Sequence, residues 1–305
     1  MKTEQLIKNL EVPTGKIDVV LDTDAYNEID DQFAISYMLK SKEKLNVKAI
    51  LAAPFLNNKS VSPKDGMEKS YNEILKLLDL ADESEMKNNV YRGSEIFLPD
   101  EKTPVESDAC DFIINIAKEY SPEKPLYLVA IGAITNVASA LIKAPEIAEN
   151  LVIVWLGGTA HHFTDSREFN MFQDVAAARV VMGSDAAFVQ LPCAGVVDIF
   201  TTSKPELLYW FHGKNKLATY LAENSIAEAD SYALNKPWTR VIWDVTAVAW
   251  LLNDGNRFMD SYICATPIPE YDDHYGINPK GKLMRYVYHI HRDNLMNDLI
   301  KKITE

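Results

Sequence analysis

The chain of 305 residues is 47% hydrophobic and 25% charged, the balance of a folded globular protein rather than a disordered or fibrous one. Its formal net charge of −13, from 31 Lys and Arg against 44 Asp and Glu, opposes binding to a phosphate backbone, which depends on clustered cations. No apolar run approaches the ~18 residues that span a bilayer, and residues 1–15 carry no signal-peptide core, so the expected setting is cytoplasmic, with neither nucleic acid nor membrane as partner.

Short β-rich apolar runs alternate with longer segments of helical period, the pattern of an α/β protein with an open, mostly parallel β-sheet flanked by helices. A first strand is expected over 17–21, and Phe33, Tyr37 and Met38 begin a helical face after an acidic turn. The second strand falls at 47–53, and the helix after it buries Met67, Tyr71, Ile74, Leu75 and Leu78. Strand and helix then recur at 126–131 and 135–143 and at 151–156 and 174–182, with a further strand at 187–191. The unbroken run Val152, Ile153, Val154, Trp155 predicts a strand covered on both faces. Beyond Pro205 the pattern turns mostly helical, through an aromatic-rich stretch with Tyr232, Trp238, Trp243 and Trp250, and ends in a charged amphipathic helix from Arg292. With no internal repeat or Gly/Ser/Pro linker, a single domain over 1–305 is favoured.

Cys110, Cys193 and Cys264 are odd in number, far apart and set in apolar stretches, which suits reduced thiols; any metal should therefore be held by oxygen. Ligands of open parallel sheets bind beyond the carboxyl ends of the strands. The polar residues there are Asp22, Asp24, Asp30 and Asp31, then Asn57 and Asn58, then Thr135 and Asn136, then the stretch 157–170.

The segment 22–31 places four aspartates and one glutamate after a buried strand. Their mutual repulsion is costly without a cation, and hard ions such as Ca²⁺ take about six to eight oxygen ligands. The plainer alternative is that Asp30 or Asp31 caps the next helix. Three further features bear on the choice: Glu168-Phe169-Asn170, the turn from Gly132 to Thr135-Asn136, and Asp244, an acid inside an apolar run that needs a partner once buried.

In this order the motifs resemble the nucleoside hydrolase family, whose signature is an Asp-rich motif after the first strand, a Gly-x-x-Thr-Asn turn, a Glu-Phe-Asn motif and a late aspartate opening a buried helix. The resemblance covers the chain from Ile17 to about Leu252. It implies a Ca²⁺-dependent hydrolase that cleaves the N-glycosidic bond of a small-molecule nucleoside, serves purine salvage and forms a homodimer or homotetramer. Position by position, it implies that Asp24, Asp31, the main-chain carbonyl of Thr135 and Asp244 bind Ca²⁺, with Asp24 also the general base. Asp30 then accepts the ribose 2′-hydroxyl, Glu168 and Asn170 hold other ribose hydroxyls, and Asn57 or Asn58 stands for the asparagine after the second strand.

The residue before the late aspartate is a histidine in the inosine-uridine preferring members and Trp243 here, as in the purine-specific members. The resemblance implies that Trp243 stacks on a purine and favours its protonation; as an isolated residue it is equally a core tryptophan. Three departures stand out. The acidic loop holds two more residues between Asp24 and Asp30, and no tryptophan precedes Trp155, so Phe97 or Tyr91 is left as the second base-stacking ring. His161 and His162 fall where the family places an asparagine, which turns His162 toward the sugar. Two competing readings are a non-catalytic nucleoside or ribose sensor and, on Asp22-x-Asp24 alone, an aspartate-nucleophile phosphatase. The phosphatase leaves Glu168, Asn170 and Asp244 without a role.

Overall fold

The computed structural model describes residues 1–305. Its strands are β1 (Ile17–Thr23), β2 (Leu45–Ala52), β3 (Val90–Arg92), β4 (Leu126–Ala130), β5 (Leu151–Leu156), β6 (Ala187–Leu191), β7 (Thr201–Ser203), β8 (Thr239–Val241), β9 (Met259–Ala265), β10 (Pro267–Pro269), β11 (Tyr275–Ile277) and β12 (Leu283–Ile290). Eight of them form one sheet in the order β3-β2-β1-β4-β5-β6-β12-β9, parallel except for the edge strand β9. The helices are α1 (Thr3–Asn9), α2 (Asp30–Leu39), α3 (Pro63–Leu80), α4 (Asp108–Ala117), α5 (Thr135–Lys143), α6 (Phe169–Gln173), α7 (Val175–Gly183), α8 (Lys204–Glu206), α9 (Lys216–Ala233), α10 (Val245–Leu251) and α11 (Arg292–Thr304).

Every residue of β4 and β5 is buried because helices cover both faces of the sheet. One apolar layer joins α2, α9, α10 and α11 to the sheet, and another joins α4, α5 and α7 to its opposite face. The chain runs outward from β1 through β2 to β3, then crosses to β4 on the other side of β1. A parallel sheet opens a crevice at such a reversal, beyond the carboxyl ends of the two strands. Here those ends deliver Thr23 from β1 and Ala130 from β4.

Two expectations need correction. Helix α2 is buried on every side rather than along one face, since all ten of its residues are inaccessible. The region after Pro205 is not mostly helical: β12 extends the main sheet beside β6, and β9 pairs antiparallel with it. The residues of β12, Leu-Met-Arg-Tyr-Val-Tyr-His-Ile, are rich in the aromatic and β-branched types that suit a half-covered pleat. Its buried Arg285 is accommodated because the guanidinium donates to the carbonyl of Leu10 at 2.7 Å and pairs with Glu11.

A candidate active site at the strand ends

Strand β1 carries Asp22 at its end and Asp24 just beyond it, while Asp30 and Asp31 form the first turn of α2. Asp244 immediately precedes α10. Because α2 packs against α10, these two starts meet, and Asp30, Asp31 and Asp244 each present a carboxylate oxygen within 4.8 Å of the others. Asp24 closes on the same place from β1. Gly132 makes room for it, since a Cβ there would lie 2.9 Å from Asp24 Oδ1. All of these carboxylates are buried, and Asp24 Oδ2 has no hydrogen-bond partner.

Burial without cations raises the proton affinity of such groups. It pushes Asp22 up to about 7, although Asn136 Nδ2 donates to its Oδ1 at 2.8 Å. Asp31 also rises to about 7 through burial, partly offset by Thr23 Oγ1, which donates to it at 2.5 Å. Asp24, Asp30 and Asp244 are raised well above the ordinary carboxylate range, first by burial and then by one another's charge. The amide end of α2 offsets part of this for the two aspartates in its first turn.

Glu168 stands on the opposite wall as the cap of α6. Its carboxylate accepts from the backbone amides of Gly158, Asn170 and Met171 at 2.8, 3.0 and 3.2 Å. Asn170 is anchored in turn by donating from Nδ2 to the carbonyls of Leu156 and Ile131 at 3.0 and 3.3 Å, so it joins the ends of β5 and β4. Between these walls lies a cavity of about 440 Å³, bordered by Asp24, Asp30, Asp31, Glu168, Asn170 and Asp244, with half-buried Trp243 beside them. A buried acidic pole, a ring of fixed polar groups and one indole suit a sugar carrying an aromatic base.

Comparison with known proteins is consistent with that geometry. The family model for inosine-uridine preferring nucleoside hydrolase matches residues 19–271. The chain belongs to this nucleoside hydrolase family. It is therefore a hydrolase acting on N-glycosyl bonds. Among curated relatives, the non-specific ribonucleoside hydrolase RihC of Salmonella enteritidis PT4 is 28% identical over 265 residues, covering 78% of this chain and 79% of that one. An uncharacterised protein, C1683.06c, of Schizosaccharomyces pombe is 32% identical over 110 residues, 35% of each chain. In fold, the chain is similar to a plant nucleoside hydrolase, the PpNRh1 enzyme, with a TM-score of 0.75 at 18% identity over 96% of this chain and 99% of that one.

The family is metal-dependent, and this chain's residues fit a hard cation. The donors that converge are all oxygen, they are buried, and one of them, Asp24 Oδ2, is unpartnered. Repulsion among four buried carboxylates, none of them in a salt bridge, is the feature that a bound ion would relieve.

Other residues expected at the site lie off the cavity wall. Thr135 is the first residue of α5, and its hydroxyl donates to Asp174 at 2.7 Å instead of capping its own helix; from the same turn, Ile131 lines the cavity. Asn57 touches the wall indirectly, donating to Asn27 Oδ1 at 2.6 Å, and Asn58 is exposed. His161 bonds Gln190 at 2.8 Å, and with His162 it borders a separate depression walled by Tyr262, Tyr286 and Tyr288. Neither Phe97 nor Tyr91 lines the cavity, and Tyr91 stacks on Phe112 instead.

The wall also holds residues that sequence reasoning passed over: Asn27 and Glu28 from the longer acidic loop, Arg167, and Cys193 and Asp198. Cys193 and Asp198 follow β6, so the rule that selected polar residues after the earlier strands reaches them when extended by one strand.

Proposed function

We propose that the protein is a Ca²⁺-dependent ribonucleoside hydrolase that prefers purine nucleosides and releases the free base and ribose. The observation that carries this reading is the meeting of Asp24, Asp30, Asp31 and Asp244 opposite Glu168 and Asn170, with Trp243 alongside. Asp24, Asp31 and Asp244, together with a main-chain carbonyl of the 131–135 turn, would hold the ion. When bound, the ion supplies Lewis acidity, acidifying water and orienting the ribose diol.

The chain's own groups do the rest. Asp24, with one oxygen free of hydrogen bonds, takes the proton of the attacking water. Asp30 accepts the 2′-hydroxyl, while Glu168 and Asn170, each locked by backbone hydrogen bonds, fix the other ribose hydroxyls. Loss of the base leaves an oxocarbenium-like sugar, and the surrounding carboxylates stabilise that positive charge without having to reorganise. Trp243 stacks its ring on a purine and favours the ring's protonated form. Asn57 serves at one remove by holding Asn27, and Asn58 and His162 take no part.

Reducing-sugar release from inosine, guanosine, adenosine, uridine and cytidine tests the reading. Release is expected to stop on chelation, return with added Ca²⁺, and run faster for the three purine nucleosides. Release that survives chelation removes the metal from the reading, equal rates for all five remove the stacking role of Trp243, and no release from any of them removes the hydrolase.

A further inference from the structure

Every polar atom of Asn27 except one is already engaged. Its backbone N–H donates to the carbonyl of Asp24 at 2.7 Å, and its own carbonyl accepts from Lys59 Nζ at 2.7 Å. Its side-chain Oδ1 accepts from Asn57 Nδ2 at 2.6 Å. Which way round the two amides stand is fixed one step further out. Asn57 Oδ1 accepts from the backbone N–H of Lys59 at 2.8 Å, and a main-chain N–H can only donate. Asn57 therefore turns its NH₂ toward Asn27, and Asn27 meets it with oxygen. What remains is Asn27 Nδ2, a donor with no hydrogen bond, on a residue only 7% exposed that borders the cavity. A donor left unpaired on a residue this buried calls for an acceptor from the cavity.

The other side-chain amide on the wall offers no such donor. Asn170 gives its Nδ2 hydrogens to the carbonyls of Leu156 and Ile131, so it faces the cavity with oxygen. A ribose hydroxyl both donates its hydrogen and accepts through its oxygen. One that gives its hydrogen to a carboxylate therefore still lacks a donor. Asn27 stands on the side where that need arises: it lies three residues before Asp30 and is tied by its N–H to Asp24, whereas Glu168 and Asn170 form the opposite wall.

We propose that Asn27 Nδ2 donates to the oxygen of the ribose 2′-hydroxyl, whose hydrogen goes to Asp30, and that Asn57 is the residue that positions it. The role of Asp30 rests on the hydrolase reading above; the donor and its relay are additional to it. The direction of the last hydrogen bond is decided at the Lys59 N–H and handed on through two amides. Asn27 belongs to the longer acidic loop, so that loop supplies a contact to the sugar as well as the acids at its two ends. A 2′-deoxyribose leaves this amide unpaired in a cavity from which the sugar has displaced water, and binds more weakly for it. Asn27 is in this way a determinant of specificity for ribose.

Calorimetry in the presence of Ca²⁺ tests this with formycin A and pseudouridine, C-nucleosides whose carbon–carbon glycosidic bond is not hydrolysed, each against its 2′-deoxy counterpart. Asn27→Ala should raise Kd for the tighter ribonucleoside about tenfold and leave its 2′-deoxy counterpart within about twofold, closing most of the gap between them. Asn57→Asp gives the sharper result, because a carboxylate at 57 accepts from both the Lys59 N–H and Asn27 Nδ2 and draws that amide away from the sugar. It should reproduce the Asn27→Ala pattern without touching the ligand. A wild-type protein that binds both sugars alike overturns the proposal, as do variants that weaken both sugars by the same factor or weaken neither. The hydrolase reading then stands or falls separately, on ribose release from inosine. A gap that closes in both variants while no nucleoside is hydrolysed sinks the hydrolase and keeps this contact; no binding and no release sink both.

Discussion

The cavity has two kinds of acid, and the contrast separates scaffold from chemistry. On the rim, Glu28 and Glu228 share Arg240 and Lys59, and Asp273 holds Arg167, so each of these three carboxylates has a cation. On the inner wall, Asp24, Asp30, Asp31 and Asp244 are more deeply buried and have none. A fold that needs charges only for architecture pairs them, because an unpaired buried charge costs several kcal/mol. Where the sequence places four acids together and leaves them unpaired, the stability lost is consistent with a site reserved for a ligand.

The largest expected effect comes from removing one inner carboxylate. Asp31→Ala should lose bound Ca²⁺ and lower kcat/KM by roughly a thousandfold, in keeping with the several kcal/mol that a metal ion contributes to such a transition state. Metal content by atomic spectroscopy, measured beside ribose release, decides it; full activity with no bound metal would break the distinction between wall and rim.

A slightly smaller effect appears in stability against pH with the metal removed. The folded chain holds Asp22 and Asp31 at about 7, above their unfolded values, so the protonated forms favour the fold. That contribution is complete below about pH 4 and is lost as pH rises through about 7. In chelator, Tm should therefore fall by roughly 5 °C or more between pH 5 and pH 8. With Ca²⁺ present the trend should flatten or reverse, because the ion binds the deprotonated carboxylates. Calorimetry in which the chelated protein grows more stable toward pH 8 contradicts the picture of an uncompensated wall.

The division between legible and hidden features follows the range of the forces involved. The parallel core could be read because β4 and β5, buried on both faces, are continuous apolar runs, and the acidic segment could be read because unlike neighbours make it conspicuous. Helix α2 misled because a helix buried all round has no polar face to reveal its period. Strand β12 was missed because its alternation mixes tyrosine, histidine and arginine, and β9 because Asp260 and Ser261 break its apolar run; what holds Arg285 is a carbonyl 275 residues away. Within the site, Asp24, Asp31 and Asp244 could be chosen from motif order, whereas the bond from the Thr135 hydroxyl to Asp174, a contact across 39 residues, could not. His162 was chosen for its place in the motif order; in the structure it borders the tyrosine-walled depression beside His161, which bonds Gln190.

The rim gives the smallest expected effect and the finest test. Arg240 is 12% exposed in its side chain, donates to Glu28, Glu228 and Tyr232, and has a buried Nε with no partner. Its charge also holds down the proton affinity of Asp30, which is otherwise raised by burial and by Asp31. Arg240→Gln should leave metal content intact, cost about 1–2 kcal/mol of stability because the ion pairs are only partly desolvated, and raise KM about threefold to tenfold with little change in kcat. Glu28→Gln added to it should recover part of the stability, since the unpaired carboxylate created by the first change is then removed. If Arg240→Gln instead releases the metal, the rim and the wall are one cooperative unit, and the paired acids belong to the chemistry as much as the unpaired ones.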